Sequence, residues 1–429
     1  MTAMRRLYRN ARLIDPASLL DGPGDLVVEE GRIAALGPRL DGIEAAEVVD
    51  LGGLCLAPGL VDMRVQLREP GAEHIESIES GGRAAAAGGV TTMVALPNTE
   101  PPVDDVSVVE FLARRAREVR LAKIHTYAAA TKALKGRELT EIGLLAANGA
   151  VGFTDAVKAI ADALVMRRVL AYARSFDQLV IQHPEEPSLA GAGEVTEGET
   201  ATRLGLAGIP AAAEVMMVER DLRLVELTGA RYHAAHLSTA VAIEAIRRAK
   251  AAGLPVTCDT APPYFALNES AIGDYRTFAK LSPPLRSESD RQAVVAGLAD
   301  GTIDAIASDH APWDQDSKRL PFSSASAGIV GLETLLPLSL ELCHHGHMSL
   351  IDVVRRLTAN PADILRLDAG RLRPGAPADL VVFDPGAAWR IRTEEFRSKS
   401  KNAPFDGRPV KGRVERTIVD GRTIFERPR

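Results

Sequence analysis

Leu56-Ala57-Pro58-Gly59-Leu60-Val61-Asp62-Met63-Arg64-Val65-Gln66-Leu67-Arg68-Glu69-Pro70-Gly71 is an apolar run set between two Pro-Gly pairs. It is too short for an ordinary helix and rich in Leu and Val, so it reads as a buried strand of the kind that opens a parallel barrel. The polar side chains Arg64, Gln66 and Arg68 then fall toward the strand's end, which in a (β/α)8 barrel is the face that carries chemistry.

Beyond this strand the pattern becomes strand, then helix, repeated. Val90 to Leu96 precedes a helix over Asp105 to Val119, and Lys123 to Ala128 precedes one near Leu139 to Asn148. A helix around Ile160 to Ser175 leads into Leu179 to His183, and Arg231 to His236, Pro255 to Asp259 and Asp304 to Asp309 continue the series. Such alternation predicts a right-handed βαβ series closing into a (β/α)8 TIM barrel over residues 57–369, an α/β fold. His183, His236 and Asp309 each close a strand, where a barrel places its reactive groups. Residues 1–56 and 370–429 instead alternate short Val/Ile/Leu runs with turns, as antiparallel strands do. Neither half-sheet can bury a face alone, so both termini are expected to pair into one small β-sandwich. Ser323 to Gly328, made of Ser, Ala and Gly, reads as a mobile loop over the barrel mouth.

Composition narrows the classes. The 429 residues are 46% hydrophobic and 25% charged, enough for a large core plus an appended domain. A net charge of -6 offers no basic field for nucleic acid or an anionic membrane, so neither is an expected partner. Cys55, Cys258 and Cys343 are odd in number and widely spaced, which argues against a disulfide framework and for a reducing, cytoplasmic setting. Met1 to Arg12 lacks the apolar core of a leader, and no run of about 18 apolar residues marks a membrane span.

Several short motifs point further: Leu96-Pro97-Asn98-Thr99, Phe153-Thr154-Asp155, His236-Leu237-Ser238, Ser282-Pro283-Pro284-Leu285-Arg286, Ser308-Asp309-His310-Ala311-Pro312 and Ser398-Lys399-Ser400-Lys401-Asn402-Ala403-Pro404-Phe405. With Leu67-Arg68-Glu69-Pro70-Gly71, they make the chain resemble the dihydroorotases of the amidohydrolase superfamily over nearly its whole length. The resemblance implies zinc-activated water, and an Asp that takes the water's proton and passes it to the leaving nitrogen. Asp309 matches that Asp, as catalytic residue and ligand, while His183 and His236 match two imidazole ligands. Arg68 and Asn98 match residues that bind the substrate carboxylate, with Ser282 and Trp313 at neighbouring substrate positions.

The departures from the family pattern matter more. The opening strand of the family carries His-x-His, and here those places hold Arg64 and Gln66. A guanidinium stays protonated and cannot coordinate a cation. Ala156 stands where the family has its metal-binding carboxylate, leaving Asp155 as the nearest substitute and Lys158, outside the strand, as a less favoured carbamylated bridge. Ser282 replaces an Asn, Trp313 a His, and Pro262-Pro263-Tyr264 a Pro-His-His segment. His183, His236, Asp155 and Asp309 would make one partial zinc site, so the resemblance implies one zinc ion or none.

The reading this favours is a dihydroorotase-like protein of pyrimidine biosynthesis that has lost hydrolysis. It would serve, as a homo-oligomer, as structural or regulatory partner of aspartate carbamoyltransferase. The alternative is an active cyclic amidohydrolase converting dihydroorotate to N-carbamoyl-L-aspartate with a single metal. If Asp309 keeps its charge without a dication, Arg64 is expected to pair with it.

Overall fold

The computed structural model describes residues 5–428; residues 1–4, part of the segment read above for a leader, and Arg429 lie outside the described residues. The chain begins with β1 (Arg5–Asp15), β2 (Leu20–Glu29), β3 (Arg32–Gly37), β4 (Glu47–Asp50) and β5 (Cys55–Pro58). The barrel strands follow as β6 (Leu60–Val65), β7 (Val90–Ala95), β8 (Lys123–Ala128), β9 (Ala150–Phe153) and β10 (Leu179–Gln182). After a two-stranded excursion, β11 (Val195–Thr196) with β12 (Gly208–Ile209), the barrel resumes with β13 (Arg231–Ala234), β14 (Val256–Thr260) and β15 (Ala305–Ile306). The chain ends with β16 (Leu380–Arg390), β17 (Pro409–Val419) and β18 (Arg422–Glu426).

The eight barrel strands lie in the order β15-β14-β13-β10-β9-β8-β7-β6, every paired neighbour parallel. The ring closes through a parallel bridge between Val65 and His310, where the Gln66 N–H donates to the His310 carbonyl at 2.9 Å. Helices wrap the outside, and their starts are written in the sequence. Asp105 caps Val106–Val119, Thr239 caps Ala240–Ala251 and Ser287 caps Glu288–Asp300, each side chain accepting from a backbone N–H of the first turn. β6 and β7 are buried at every residue, as strands covered on both faces must be.

The strands of both termini pair, as expected, and form one continuous hydrogen-bonded sheet. β5 pairs parallel with β1 and antiparallel with β16, so the N- and C-terminal halves share a hydrogen-bonded seam. Tyr8, Leu13, Leu26 and Ile33 from one half and Leu380, Val382 and Ile418 from the other pack into a single core. Gly59 turns the chain from this sheet into the barrel, and a Cβ there would lie 2.1 Å from the Thr91 side chain.

The segment expected to move over the barrel mouth is tied down. Lys280 Nζ donates to the Phe322 and Ser323 carbonyls, and Lys318 Nζ to those of Ser326 and Gly328. Trp313 Nε1 donates to the Ala327 carbonyl at 2.7 Å. Lys318 is 1% exposed and pairs with no carboxylate among the described residues; burial, then the charge of Lys280, pushes its pKa down to about 7. The Gly/Ser/Ala composition gave no sign of these three anchors, because Lys280, Trp313 and Lys318 all lie outside the segment. Lys318→Met should therefore strand the Ser326 carbonyl, leave that of Gly328 to Asn402 Nδ2 alone, and loosen the loop. Limited chymotrypsin digestion, read at Leu320 and Phe322, should accelerate by about tenfold, equivalent to the ~1.4 kcal/mol of a lost charged hydrogen bond.

Candidate functional site

The cup at the C-terminal ends of the strands is built around Arg64. Its side chain points from β6 into the barrel and is 2% exposed. Arg64 Nε donates to Asp309 Oδ1 at 2.8 Å and Nη2 to the Ala156 carbonyl at 3.2 Å, while Nη1 is buried without a partner. From the first barrel strand the guanidinium thus reaches Asp309, beyond the adjoining last strand, and Ala156, beyond β9, and the first contact is the pairing the sequence led us to expect.

Asp309 continues a chain of polar contacts. Its Oδ2 lies 3.1 Å from His236 Nδ1, and His236 Nε2 lies 2.7 Å from His183 Nδ1. Burial raises the Asp309 pKa, but His236 and Arg64 outweigh it and hold the carboxyl far below its usual range. An ionised carboxylate only accepts, so His236 carries its proton on Nδ1 and its Nε2 accepts from His183 Nδ1–H. Burial first, then the charge of Arg64, pushes the His236 pKa down to about 4. His236 is therefore neutral near pH 7, and Arg64 is the charge that keeps Asp309 ionised. Beyond it, His183 Nε2 faces Ser282 Oγ at 3.4 Å and Glu185 Oε1 at 3.7 Å.

The other expected residues fall into separate groups. Gln66 Oε1 accepts from Asn98 Nδ2 at 3.0 Å, so the two amides satisfy each other. Arg68 sits with its guanidinium carbon 4.3 Å from the Trp313 ring centroid and donates from Nε and Nη2 to the Pro312 carbonyl. It has no carboxylate partner among the described residues, and burial lowers its pKa to about 10. Asp155 does not belong with His183 and His236. Its oxygens accept from the Thr131 N–H and Oγ1, and this fixed pairing turns it away from the cup, correcting its place as a ligand. Ala156 is buried, with φ of 61°.

Three supporting residues escaped the sequence reading. Asp259 Oδ1 accepts from the His236 N–H, and His233 Nε2 lies 3.0 Å from Asp259 Oδ2, so this buried pair fixes the turn that presents His236. The signal was available, since Asp259 is the one acidic residue of the strand Val256-Thr257-Cys258-Asp259-Thr260. Thr131, which captures Asp155, lies in an irregular segment that no periodicity marks.

A metal does not fit these side chains as they stand. Two imidazole nitrogens on one tetrahedral zinc, with bonds of about 2.0–2.1 Å, must be about 3.3 Å apart. The facing nitrogens of His183 and His236 instead share a hydrogen bond at 2.7 Å, and the carboxylate that would be the third ligand is held by a guanidinium. Among the described residues no three His, Cys, Asp or Glu side chains are gathered as a metal would need.

Comparison with known proteins comes from three directions. Residues 53–241 match a family model described as dihydro-orotase-like, and residues 327–425 match one described as amidohydrolase family. The chain is 49% identical over 424 residues to a protein named dihydroorotase from Anaplasma phagocytophilum (strain HZ), covering 97% of this chain and 94% of that one. It is 45% identical over 424 residues to a dihydroorotase from Syntrophus aciditrophicus (strain SB), covering 99% and 100%. Among solved structures it resembles the L-hydantoinase (dihydropyrimidinase) from Arthrobacter aurescens, with a TM-score of 0.88 and 25% identity over 98% of this chain and 96% of that one. The dihydropyrimidinase from Brevibacillus agri NCHU1002 shares the fold, with a TM-score of 0.86 and 23% identity over 99% and 95%.

Two outcomes follow from the geometry. Arg64→Leu leaves Asp309 buried and unpaired and should destabilise the chain by about 3–5 kcal/mol in urea unfolding, and adding Asp309→Asn should recover more than half of that loss. Neither EDTA nor a severalfold excess of zinc should move the melting temperature of the wild-type chain, because a ligand shifts stability only by binding the folded state. A rise with one equivalent of bound zinc would mean that the imidazoles part and turn to the metal.

Proposed function

This chain belongs to the dihydroorotase family of the amidohydrolase superfamily, and from that premise we propose that it serves pyrimidine biosynthesis without hydrolysing dihydroorotate itself. The observation that carries this reading is the ion pair between Arg64 and Asp309. Hydrolysis of the ring needs an activated water and a carboxylate free to take its proton. Asp309 is engaged on both oxygens and stabilised as the anion, which makes it a poor base. A guanidinium has no open coordination position at which water could be activated.

In this reading the chain acts as a homo-oligomeric structural or regulatory partner of aspartate carbamoyltransferase in the cytoplasm. Among the described residues no helix is long and apolar enough to cross a membrane. Support for a protein partner comes from Leu144, Leu164 and Phe176, which stand 56%, 51% and 46% exposed on the neighbouring helices Ile142–Ala147 and Ala163–Ser175 or at their ends.

The shared name of the relatives favours a second reading, an active dihydroorotase using a single metal. His183 and His236 would be its imidazole ligands and Asp309 its proton shuttle, after release from Arg64. The two readings part in one experiment. Purified protein, with and without added zinc, is assayed for conversion of dihydroorotate to N-carbamoyl-L-aspartate, and its metal content is measured. No turnover above an Asp309→Asn control supports the first reading, and zinc-dependent turnover lost in that control establishes the second. Co-elution with aspartate carbamoyltransferase, weakened by Leu144→Asp with Phe176→Asp, is expected only under the first.

A further inference from the structure

On the side of the barrel away from the cup, the terminal sheet meets the outer wall in a cleft of about 820 Å³. The hairpin turn at Glu30-Gly31 and the one at Asp420-Gly421 form one lip, and the end of helix Val106–Val119 with the start of β8 forms the other. Four guanidiniums line it: Arg32, Arg117, Arg120 and Arg422. None of them has a carboxylate partner among the described residues, whereas most ion pairs elsewhere on the surface are made by arginines. The hydrogen bonds Arg32 and Arg422 do make go to backbone carbonyls, those of Gly375 and Arg120.

Opposing charge in the cleft is already largely committed. Lys123 Nζ lies 2.7 Å from Asp379 Oδ2 and 2.8 Å from Asp420 Oδ1, and Glu30 is the remaining lining carboxylate. With all of these ionised, the cleft still carries two positive charges in excess, on a chain whose net charge is -6. Charge surplus of this kind costs stability through self-repulsion unless an anion relieves it. Between the arginines lie apolar groups, Leu121, Ile124 and Pro377, and the half-buried His125, which burial and then Lys123 keep below its usual pKa.

The geometry points to a binding site for a phosphorylated small molecule, of the nucleoside polyphosphate class, in this cleft. Planar guanidiniums grip phosphate oxygens in pairs, and four of them suit a ligand with more than one phosphate. The apolar strip and the His125 ring offer a flat surface for a base or sugar. Interdomain clefts are where such ligands preferentially bind, and a ligand held here would brace the terminal sheet against the barrel wall. The site shares no residue with the cup, so it stands or falls separately from the reading of the cup.

Calorimetry on the full chain at low salt, with ATP and inorganic tripolyphosphate as probes, tests this. ATP should bind with a Kd below about 1 mM and more tightly than tripolyphosphate, and should weaken steeply with salt. Arg117→Ala with Arg120→Ala, both exposed, should weaken ATP at least tenfold with an unchanged melting curve, and Arg68→Ala in the cup should leave it intact. The proposal is overturned if neither probe binds up to a few millimolar, or if the double variant binds as the wild type does. Loss of binding in Arg68→Ala, or a polyglutamate peptide that outcompetes both probes, would overturn it as well.

Discussion

A carboxylate taken out of water needs a compensating charge or must give up its own, and Asp309 keeps its charge while 8% exposed. Much of the upper barrel answers to that requirement. In a metal-dependent relative a dication would meet it and would also hold reactive water. Arg64 meets it with a single positive charge, a planar fork of donors and no capacity to bind water as an acid. Even the fork is incompletely used, since Nη1 finds no acceptor. The ion pair ties β6 to the segment after β15.

The backbone around that tie is strained. Arg68, Ala156, His236 and Asp309 all lie at positive φ, between 40° and 61°, where residues other than glycine are uncommon. Such conformations cost about 1–3 kcal/mol each and persist where surrounding structure enforces them. Here the enforcement is visible: Asp259 and His233 hold the turn at His236, and Thr154 Oγ1 accepts from the Ala156 N–H.

The sequence made the barrel legible because period and burial agree along each strand, and because cap residues such as Asp105 and Thr239 mark where helices start. The Arg64 to Asp309 pair was legible through the family resemblance, which sets both residues at one ligand cluster and leaves the Asp309 charge in need of a cation. What escaped the reading depends on groups far apart in the chain or without pattern. Thr131 taking Asp155, the amide pair of Gln66 with Asn98, the stack of Arg68 on Trp313, and the lysine anchors of the loop all depend on packing. The continuous terminal sheet escaped for a related reason: strand texture reveals that two halves belong together, but not which edges join.

That seam has a consequence for how the chain is made. β5 runs into the first barrel strand through Gly59, but its antiparallel neighbour is β16, where Leu380 lies opposite Pro58. On a ribosome adding about 5–20 residues per second, the edge of β5 emerges at least about fifteen seconds before its mate. Throughout that interval an apolar strand edge stands open, the template on which nascent chains pair wrongly with one another. Long-range closure of this kind favours slow folding and a need for chaperone cover during translation. Detaching the last fifty residues would leave that edge exposed for the protein's whole lifetime.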